Sequence, residues 1–491
     1  MSMRKTGALA LVLVSLICSG CAMTGGAAGE EEPTLIDAGQ IAPAEVAASL
    51  ELAEPTSKGE SKEEEGEVPL AVAETAPAPE QPGEKPEEVI VQGRNLNRHQ
   101  VIHDLVAEAQ TVLRDVELQY FFTGKGKNQV LRGRPVAFAL WNEAKEEWSV
   151  AHIELPRPPI KWSPGRKPLP FRSLTPGIQA KHVKGTGAER LMFAFSQDGA
   201  PLKVYGRKFP VFDNNLIKRR QWRAVAQTAK PIVYLPFTED TFDAAFVNGG
   251  KEFLTATARQ AIEELRHARV PSAAFPGTLL ADSIPLEVVT TLAVIEQTDD
   301  ADYVAKQTGA FDEVLSQYGL KQEEAYRYSV SSANALGPMQ FTNRRGNGTY
   351  SLVVRRCPGA KIDPVFERGA TNLLNAMKAA VCLLDLELAG MRSDIRQAYR
   401  TNPAVLGIFP VAAYNGGPRN VTKLYRSLTR MKVRLDELSR PATVQLASTS
   451  VACPCVWKIV GTEVHPVAIP RYNNENRWYI EKYQSIVSLF E

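Results

Sequence analysis

Chemistry in this chain can be sought first at one acid, Glu296, which closes the run Ile284, Pro285, Leu286, Glu287, Val288, Val289, Thr290, Thr291, Leu292, Ala293, Val294, Ile295. Pro285 suits a first helical position, with Asp282 or Ser283 before it as cap. Val288, Val289, Leu292 and Ile295 recur at helical spacing and predict one apolar face. Glu296 then stands at the edge of that buried stripe. Desolvation penalises the charged form of a carboxyl, which is what a general acid needs if it is to hold a proton near neutral pH. A Glu at a helix end is more commonly a solvated or paired residue, so the acid alone decides nothing.

Two further runs add to it. Ser331, Ser332, Ala333, Asn334, Ala335, Leu336, Gly337, Pro338, Met339 and Gln340 form a block of small residues that lets backbone approach a ligand or a helix closely. Val411, Ala412, Ala413, Tyr414, Asn415, Gly416, Gly417, Pro418, Arg419, Asn420 and Val421 read as a helix end, with Gly416 or Gly417 as the left-handed stop and Pro418 opening the next helix. In this order the pieces resemble the soluble-lytic-transglycosylase (SLT) domain, a goose-type-lysozyme-like α fold that cleaves peptidoglycan. Ser331, Ala335, Gly337, Met339 and Gln340 match the family's middle block, and Ala413, Tyr414, Asn415, Gly417 and Pro418 match its last. The chain departs from the pattern with Gln297 where Ser is usual, Asn334 where Gly is usual, and Gly416 where Ala is usual. Glu296 and Ser331 also lie 35 positions apart, more than the family's spacing. The extra residues, 297–330, include Asp299, Asp300, Asp302, Tyr326 and Tyr328 and are expected to lie over or beside the cleft.

The resemblance implies a reaction. Ordinary glycosidases set two carboxylates about the scissile bond; the SLT family works with one, here Glu296. Protonated Glu296 would donate to the oxygen linking N-acetylmuramic acid to N-acetylglucosamine. Its carboxylate would then take the proton of the muramyl C6 hydroxyl, which attacks C1 and closes a 1,6-anhydro ring. Intramolecular attack gains from proximity, and no cofactor or metal takes part. By the same resemblance Tyr414 would bond Glu296 or the reacting sugar, and Ser331 and Gln340 would hold N-acetyl and hydroxyl groups. Asn415 would orient Tyr414, while Met339 and Gly337 would shape the groove floor. Two rivals remain: a hydrolase on this fold with Asp299, Asp300 or Asp302 positioning water, and a non-catalytic wall-binding lipoprotein.

The elements that must position these residues begin well downstream of the start of the chain. Residues 1–21 read as a targeting segment: Arg4 and Lys5 are followed by an apolar run over 8–18, then Ser19, Gly20 and Cys21. That run is too short for the ~20 residues a bilayer span takes. Its end resembles a lipoprotein cleavage site with Cys21 as the lipidated residue, which implies anchoring to the periplasmic face of the outer membrane. Residues 22–97 read as a tether. Between 22 and 90 there is no aromatic residue, and 17 Asp and Glu stand against 3 Lys, a net of −14. Such a segment cannot bury enough apolar surface to offset its ordering entropy. With Arg4 and Lys5 also set aside, the whole-chain +2 leaves +14 on residues 91–491, a charge that would draw the body toward the carboxylates of peptidoglycan strands. Nucleic acid is excluded as a partner by that compartment.

An α+β organisation follows, with a small, mostly β accessory domain over 98–237 and the SLT-like domain over 238–491. Val101, Ile102, Leu105, Val106, Ala109, Val112, Leu113 and Val116 predict one amphipathic helix. Residues 136–141 and 148–155 read as strands about a polar turn, and residues 191–195 and 202–205 flank the hairpin turn Gln197, Asp198, Gly199. Residues 232–235 read as a last strand, and 156–177, with seven prolines, as an extended surface loop. Trp141, Trp148 and Trp162 could stack on sugars, although packing accounts for them more simply. Residues 251–269 predict a helix, Asp363 and Pro364 open a long apolar one running to Leu388, and 471–491 end the chain as a helix packed on the catalytic lobe. Cys357, Cys382, Cys453 and Cys455 allow three pairings. A bond between Cys453 and Cys455 would close a very tight ring. That favours Cys357 and Cys382 each joining one of that pair, or joining each other. The six histidines show no metal-ligand spacing.

Overall fold

The computed structural model describes residues 88–91, 94–156, 169–185, 191–211, 221, 223–224, 230–234, 238–331, 334–343, 346–439, 455–460, 462–468 and 474–490. The targeting segment with Cys21, nearly all of the tether, Trp162 and Cys453 lie outside them. No helix among the described residues is long and apolar enough to cross a membrane.

Helices and strands are both abundant, and they segregate along the chain. A hairpin of β1 (Glu88–Val91) and β2 (Arg94–Asn97) leads into helix α1 (Arg98–Arg114), which buries Ile102, Val106, Ala109 and Leu113, a stripe at helical spacing. A short ladder, β3 (Phe122–Thr123) with β4 (Val130–Leu131), precedes an antiparallel sheet of β5 (Gly133–Asn142), β6 (Glu147–Pro156), β7 (Arg172–Ser173), β8 (Ile178–Lys184), β9 (Met192–Gln197), β10 (Ala200–Val211) and β11 (Lys230–Tyr234). The strand order is β7-β6-β5-β10-β9-β8, with β11 also on β10. Alternation along β5 sends Val136, Phe138 and Leu140 to one core and Ala137 and Ala139 to another, beneath α1.

Both predicted hairpins form. Asp198 and Gly199 take φ of +52° and +83° at the tip of the second, as a tight two-residue turn requires. Trp141 and Trp148 face each other across β5 and β6 with ring centroids 5.1 Å apart, and Trp148 Nε1 donates to Glu108 of α1. Their rings pack the sheet to the helix. Buried Lys208 of β10 donates to the carbonyls of Leu113, Arg114 and Val116 and so caps the end of α1. Residues 157–168 of the proline-rich stretch are outside the described set, but its far end is not simple surface. Leu169 is buried and Phe171 packs on the sheet core.

The remaining chain is mostly helical: α2 (Ala244–His267), α3 (Leu286–Ile295), α4 (Asp300–Lys306), α5 (Gly309–Lys321), α6 (Thr349–Arg356), α7 (Phe366–Gly369) and α8 (Leu373–Ala389). Then come α9 (Ser393–Thr401), α10 (Pro403–Leu406), α11 (Ile408–Gly416) and α12 (Pro418–Arg430). A three-stranded sheet of β12 (Leu438–Ser439), β13 (Cys455–Val460) and β14 (Glu463–Ala468) leads to the last helix, α13 (Asn474–Ile486). A single apolar cluster runs through these helices.

Four expectations change here. Helix α3 has no one-sided stripe: every residue from Val288 to Ile295 is buried, Thr290 and Thr291 included, so it is a central helix covered all round. Pro285 stands just outside that helix, at ψ 153°, rather than at its first position. The long apolar helix α8 starts at Asn372, whose side chain accepts from Asn375 N, because Asp363 and Pro364 open only a loop and the short α7. Residues 297–330 do not form a loop over a cleft. They fold into α4 and α5, and Tyr303, Phe311, Val314, Leu315 and Tyr318 join the common core. Helix α5 lies so close to α2 that a Cβ on Gly250 would sit 1.9 Å from Leu315 O, and one on Gly319 2.0 Å from Phe246 O. Two glycines at one crossing allow that contact.

The cysteine pairing also differs. Cys357 and Cys382 are buried free thiols, and burial followed by contact with Cys357 pushes the Cys382 thiol up. Cys455 is disulfide-bonded, to a partner outside the described residues. Neither pairing favoured by loop size therefore holds. The two thiols sit on α8 and at the end of α6, inside the helical core, whereas Cys455 begins β13.

Candidate active site

Glu296 is the residue that ends α3, still at helical dihedrals (φ −64°, ψ −25°). Because α3 is the central helix, its last residue emerges between packed elements, and Glu296 is half-buried while Ile295 and Gln297 on either side are buried. The hydroxyl of Tyr479, on α13, donates to Glu296 Oε1. Helix α13 is pinned a turn further on by Lys482, which is buried and donates to Thr298 O and Asp300 Oδ1, both at 2.8 Å. Anchors on both sides of Tyr479 leave its hydroxyl little freedom, which is how a supporting group orients an acid.

The block from Gly337 to Gln340 forms the facing wall. Gly337 has φ +81°, and a Cβ there would lie 1.9 Å from Ala370 O, so only glycine fits. Buried Gln297 donates its amide to Gly337 O (3.2 Å) and Pro338 O (2.9 Å). The residue that replaces the family's Ser thus ties the end of α3 directly to this turn. Gln340, at φ +50°, donates to Gly337 O (2.8 Å) and Ser329 O (3.3 Å), while its Oε1 is buried with no hydrogen-bond partner among the described residues. Leu336 and Phe341 exchange backbone hydrogen bonds and close the loop.

Tyr414 reaches the same wall from α11, donating to Met339 O at 2.7 Å. Burial, and then the charge of Glu296, push its phenol well above the usual range, so it stays a neutral donor. Helix α11 stops at Gly417, whose φ of +77° with ψ of 177° is open only to glycine, and Pro418 starts α12. Between the two expected stops the structure therefore chooses Gly417. Gly416 has another use, since a Cβ there would come 1.8 Å from Asn420 Nδ2. The departure from Ala at 416 leaves room for the buried Asn420.

Glu296, Tyr414, Met339 and Gln340 are thus brought together by the fold. Tyr414 does not spend its hydroxyl on Glu296 but on Met339 O, and Tyr479 donates to the acid instead. The side chain of Met339 is fully buried, so its carbonyl, not its thioether, serves the site. Ser331 Oγ accepts from Ala335 N at 3.1 Å and stiffens the adjoining turn. Asn415 Oδ1 accepts from Asn476 Nδ2 at 3.1 Å, linking α11 to α13 rather than holding Tyr414. The acids 299, 300 and 302 do structural work. Asp299 caps α4, accepting from Ala301 N and Asp302 N; Asp300 pairs with Lys482; Asp302 lies 3.9 Å from Lys184 of β8.

Sequence reasoning missed Tyr479 as a site residue. The only available signal was the pair Tyr479 and Tyr483 on one face of the last helix, which reads as packing. Among the described residues, no three His, Cys, Asp or Glu side chains come together as a metal cluster. Comparison with protein-family models, curated proteins and solved structures finds no match to this chain.

Proposed function

We propose that this protein is a peptidoglycan lytic transglycosylase with Glu296 as its single acid and base. The observation that carries the reading is the convergence on Glu296. A half-buried carboxyl at the end of the central helix receives the Tyr479 hydroxyl and lies within electrostatic reach of Tyr414. The three sequence blocks that resemble the SLT pattern meet around it. In the proposed cycle, protonated Glu296 donates to the glycosidic oxygen. The Tyr479 bond then stabilises the carboxylate just formed, because a donor favours the charged form. That carboxylate takes the proton from the muramyl C6 hydroxyl as its oxygen attacks C1. Tyr414, held neutral, fixes the Met339 carbonyl and with it the turn that would face the sugar. Ser331 and Gln340 remain the candidates for hydroxyl and N-acetyl contacts. A lysozyme-like arrangement of the helices, an outer-membrane lipid anchor at Cys21 and glycan strands as the partner belong to the same proposal.

The hydrolase alternative has less support, since Asp299, Asp300 and Asp302 are engaged as a cap and in ion pairs. The test is digestion of purified murein followed by mass spectrometry. Products ending in 1,6-anhydro sugars, lost in Glu296→Gln, are expected. Reducing ends alone would assign a hydrolase, and undiminished lysis by Glu296→Gln would remove Glu296 from the chemistry.

A further inference from the structure

A concavity lies between the end of α8, the start of α9 and α12, and encloses about 490 Å³. None of Glu296, Tyr414, Gln340 or Tyr479 lines it. Its charges are arranged unlike those of an ordinary surface groove. Glu387 of α8 lines it with no hydrogen bond or ion pair to its carboxyl among the described residues. Burial alone pushes that carboxyl up to about 7. Across the pocket, Arg426 and Arg430 stand four residues apart on α12 and so share a face. Both are exposed, and neither is ion-paired to any described residue. Met391 and Val421 give the lining an apolar stretch.

One wall is built rather than incidental. Tyr425 donates to Asp394 Oδ2 at 2.7 Å, and Arg392 grips the same carboxylate while lying 4.8 Å over the Tyr425 ring. Arg392, followed by Tyr425, holds the Asp394 carboxyl down at about 2, so that pair is saturated at neutral pH. Among the described residues, charge is therefore satisfied inside the wall, while Glu387 has no protein partner and the two guanidiniums are left to solvent. A carboxylate shielded from water without a partner is costly, and an acid and two cations sharing a pocket without pairing await a ligand with the opposite polarity.

From this arrangement we infer that the pocket binds a short peptide with a free ammonium and a free carboxylate. The ammonium meets Glu387, the carboxylate meets Arg426 and Arg430, and the chain between them lies on Met391 and Val421. A neutral glycan offers neither charge, and a simple anion would leave Glu387 facing nothing. The inference does not need the lytic reading. If that reading holds, the natural source is wall peptide that an amidase has already released from the glycan; if not, any other free oligopeptide satisfies the same chemistry.

Calorimetric titration of the full chain with trialanine, N-acetyl-trialanine and trialanine amide tests the assignment. Loss of a charge-assisted hydrogen bond is worth ~1.5–3 kcal/mol, roughly 10-fold or more in affinity. Blocking either end should weaken binding by at least about that 10-fold factor. Acetylation should cost nothing further in Glu387→Gln, and amidation nothing further in an Arg426→Ala, Arg430→Ala double variant. Wall peptide released by an amidase, titrated beside trialanine, separates the two sources, and murein lysis by both variants should stay at the unsubstituted level. No binding of trialanine or of the wall peptide, equal binding of the blocked peptides, or losses that add when acetylation meets Glu387→Gln or amidation meets the double variant would each overturn the site. Glu387→Gln keeps the side chain's shape, and an unchanged circular-dichroism spectrum ensures that lost binding is not lost fold.

Discussion

Asp385 and Glu296 are carboxylates on two buried helices of the same core, and their surroundings differ in a way that separates structure from chemistry. Asp385, on α8, is buried and saturated: it accepts from Ser272 Oγ (2.6 Å), Ala273 N (2.6 Å) and Ser283 Oγ (3.0 Å). It ties the loop that follows α2 to the turn that precedes α3. Nothing else could approach it. Glu296 sits at the end of the helix that this turn begins, is half-buried, and shares one oxygen with Tyr479. A buried carboxylate held by three protein donors stabilises a fold; one that keeps part of its surface exposed can exchange a proton.

Substitutions can break that contrast or sharpen it. The largest expected effect is on turnover. Glu296→Gln should reduce formation of 1,6-anhydro ends by roughly 10²- to 10⁴-fold, the range for a general acid-base group, with the melting temperature nearly unchanged. Asp385→Asn should do the reverse. An amide cannot accept from both the Ser272 hydroxyl and the Ala273 N–H as the carboxylate does, so ~3 kcal/mol of stability should be lost in denaturant unfolding. If Asp385→Asn left stability intact while abolishing lysis, the division of roles would fail.

Tyr479→Phe should come next, with a fall of about 10-fold in lysis from the loss of one hydrogen bond to a charged group. Tyr414→Phe should cost stability as well, since it leaves Met339 O unpaired. Equal melting temperatures for the two would contradict the roles assigned here. The smallest effect concerns Glu387, an acid of the third kind, half-buried and unpaired among the described residues. Its folded-state pKa near 7 exceeds that of the unfolded chain, so the native state binds the extra proton and stability falls as pH rises through that window. Arg392, Arg426 and Arg430 line the same pocket, but burial alone sets this shift. Glu387→Gln should therefore raise the melting temperature at pH 8 more than at pH 5; an equal change at both would place that carboxyl in water.

Much of the candidate site was legible because it is local. The stop at Gly417 and restart at Pro418 are set by backbone geometry that few residues permit, and Tyr414 follows from counting back along α11. The turn through Gly337 is legible for the same reason. Hairpins such as β9 with β10 are read from the two residues at their tips. Strand β8 was not, because its exposed positions are Gln179, Lys181 and Val183 on a half-covered face, and the pairing with β9 that defines it is not a sequence pattern.

What the amino-acid sequence determined alone was thus the set of short-range devices: caps, glycine stops, hairpin turns, and the order in which the acid, the small-residue block and the tyrosine occur. Tertiary structure decided which groups those devices face. Tyr479 lies 183 residues from Glu296 along the chain, and no periodicity connects them. The stripe on α3 became a helix buried all round only because α2, α5, α8 and α13 close over it. The segment after Glu296 became core rather than cover because Gly319 found Gly250. Contacts between distant segments depend on how whole surfaces match in shape and polarity, and that information is spread over many residues instead of residing in any one stretch.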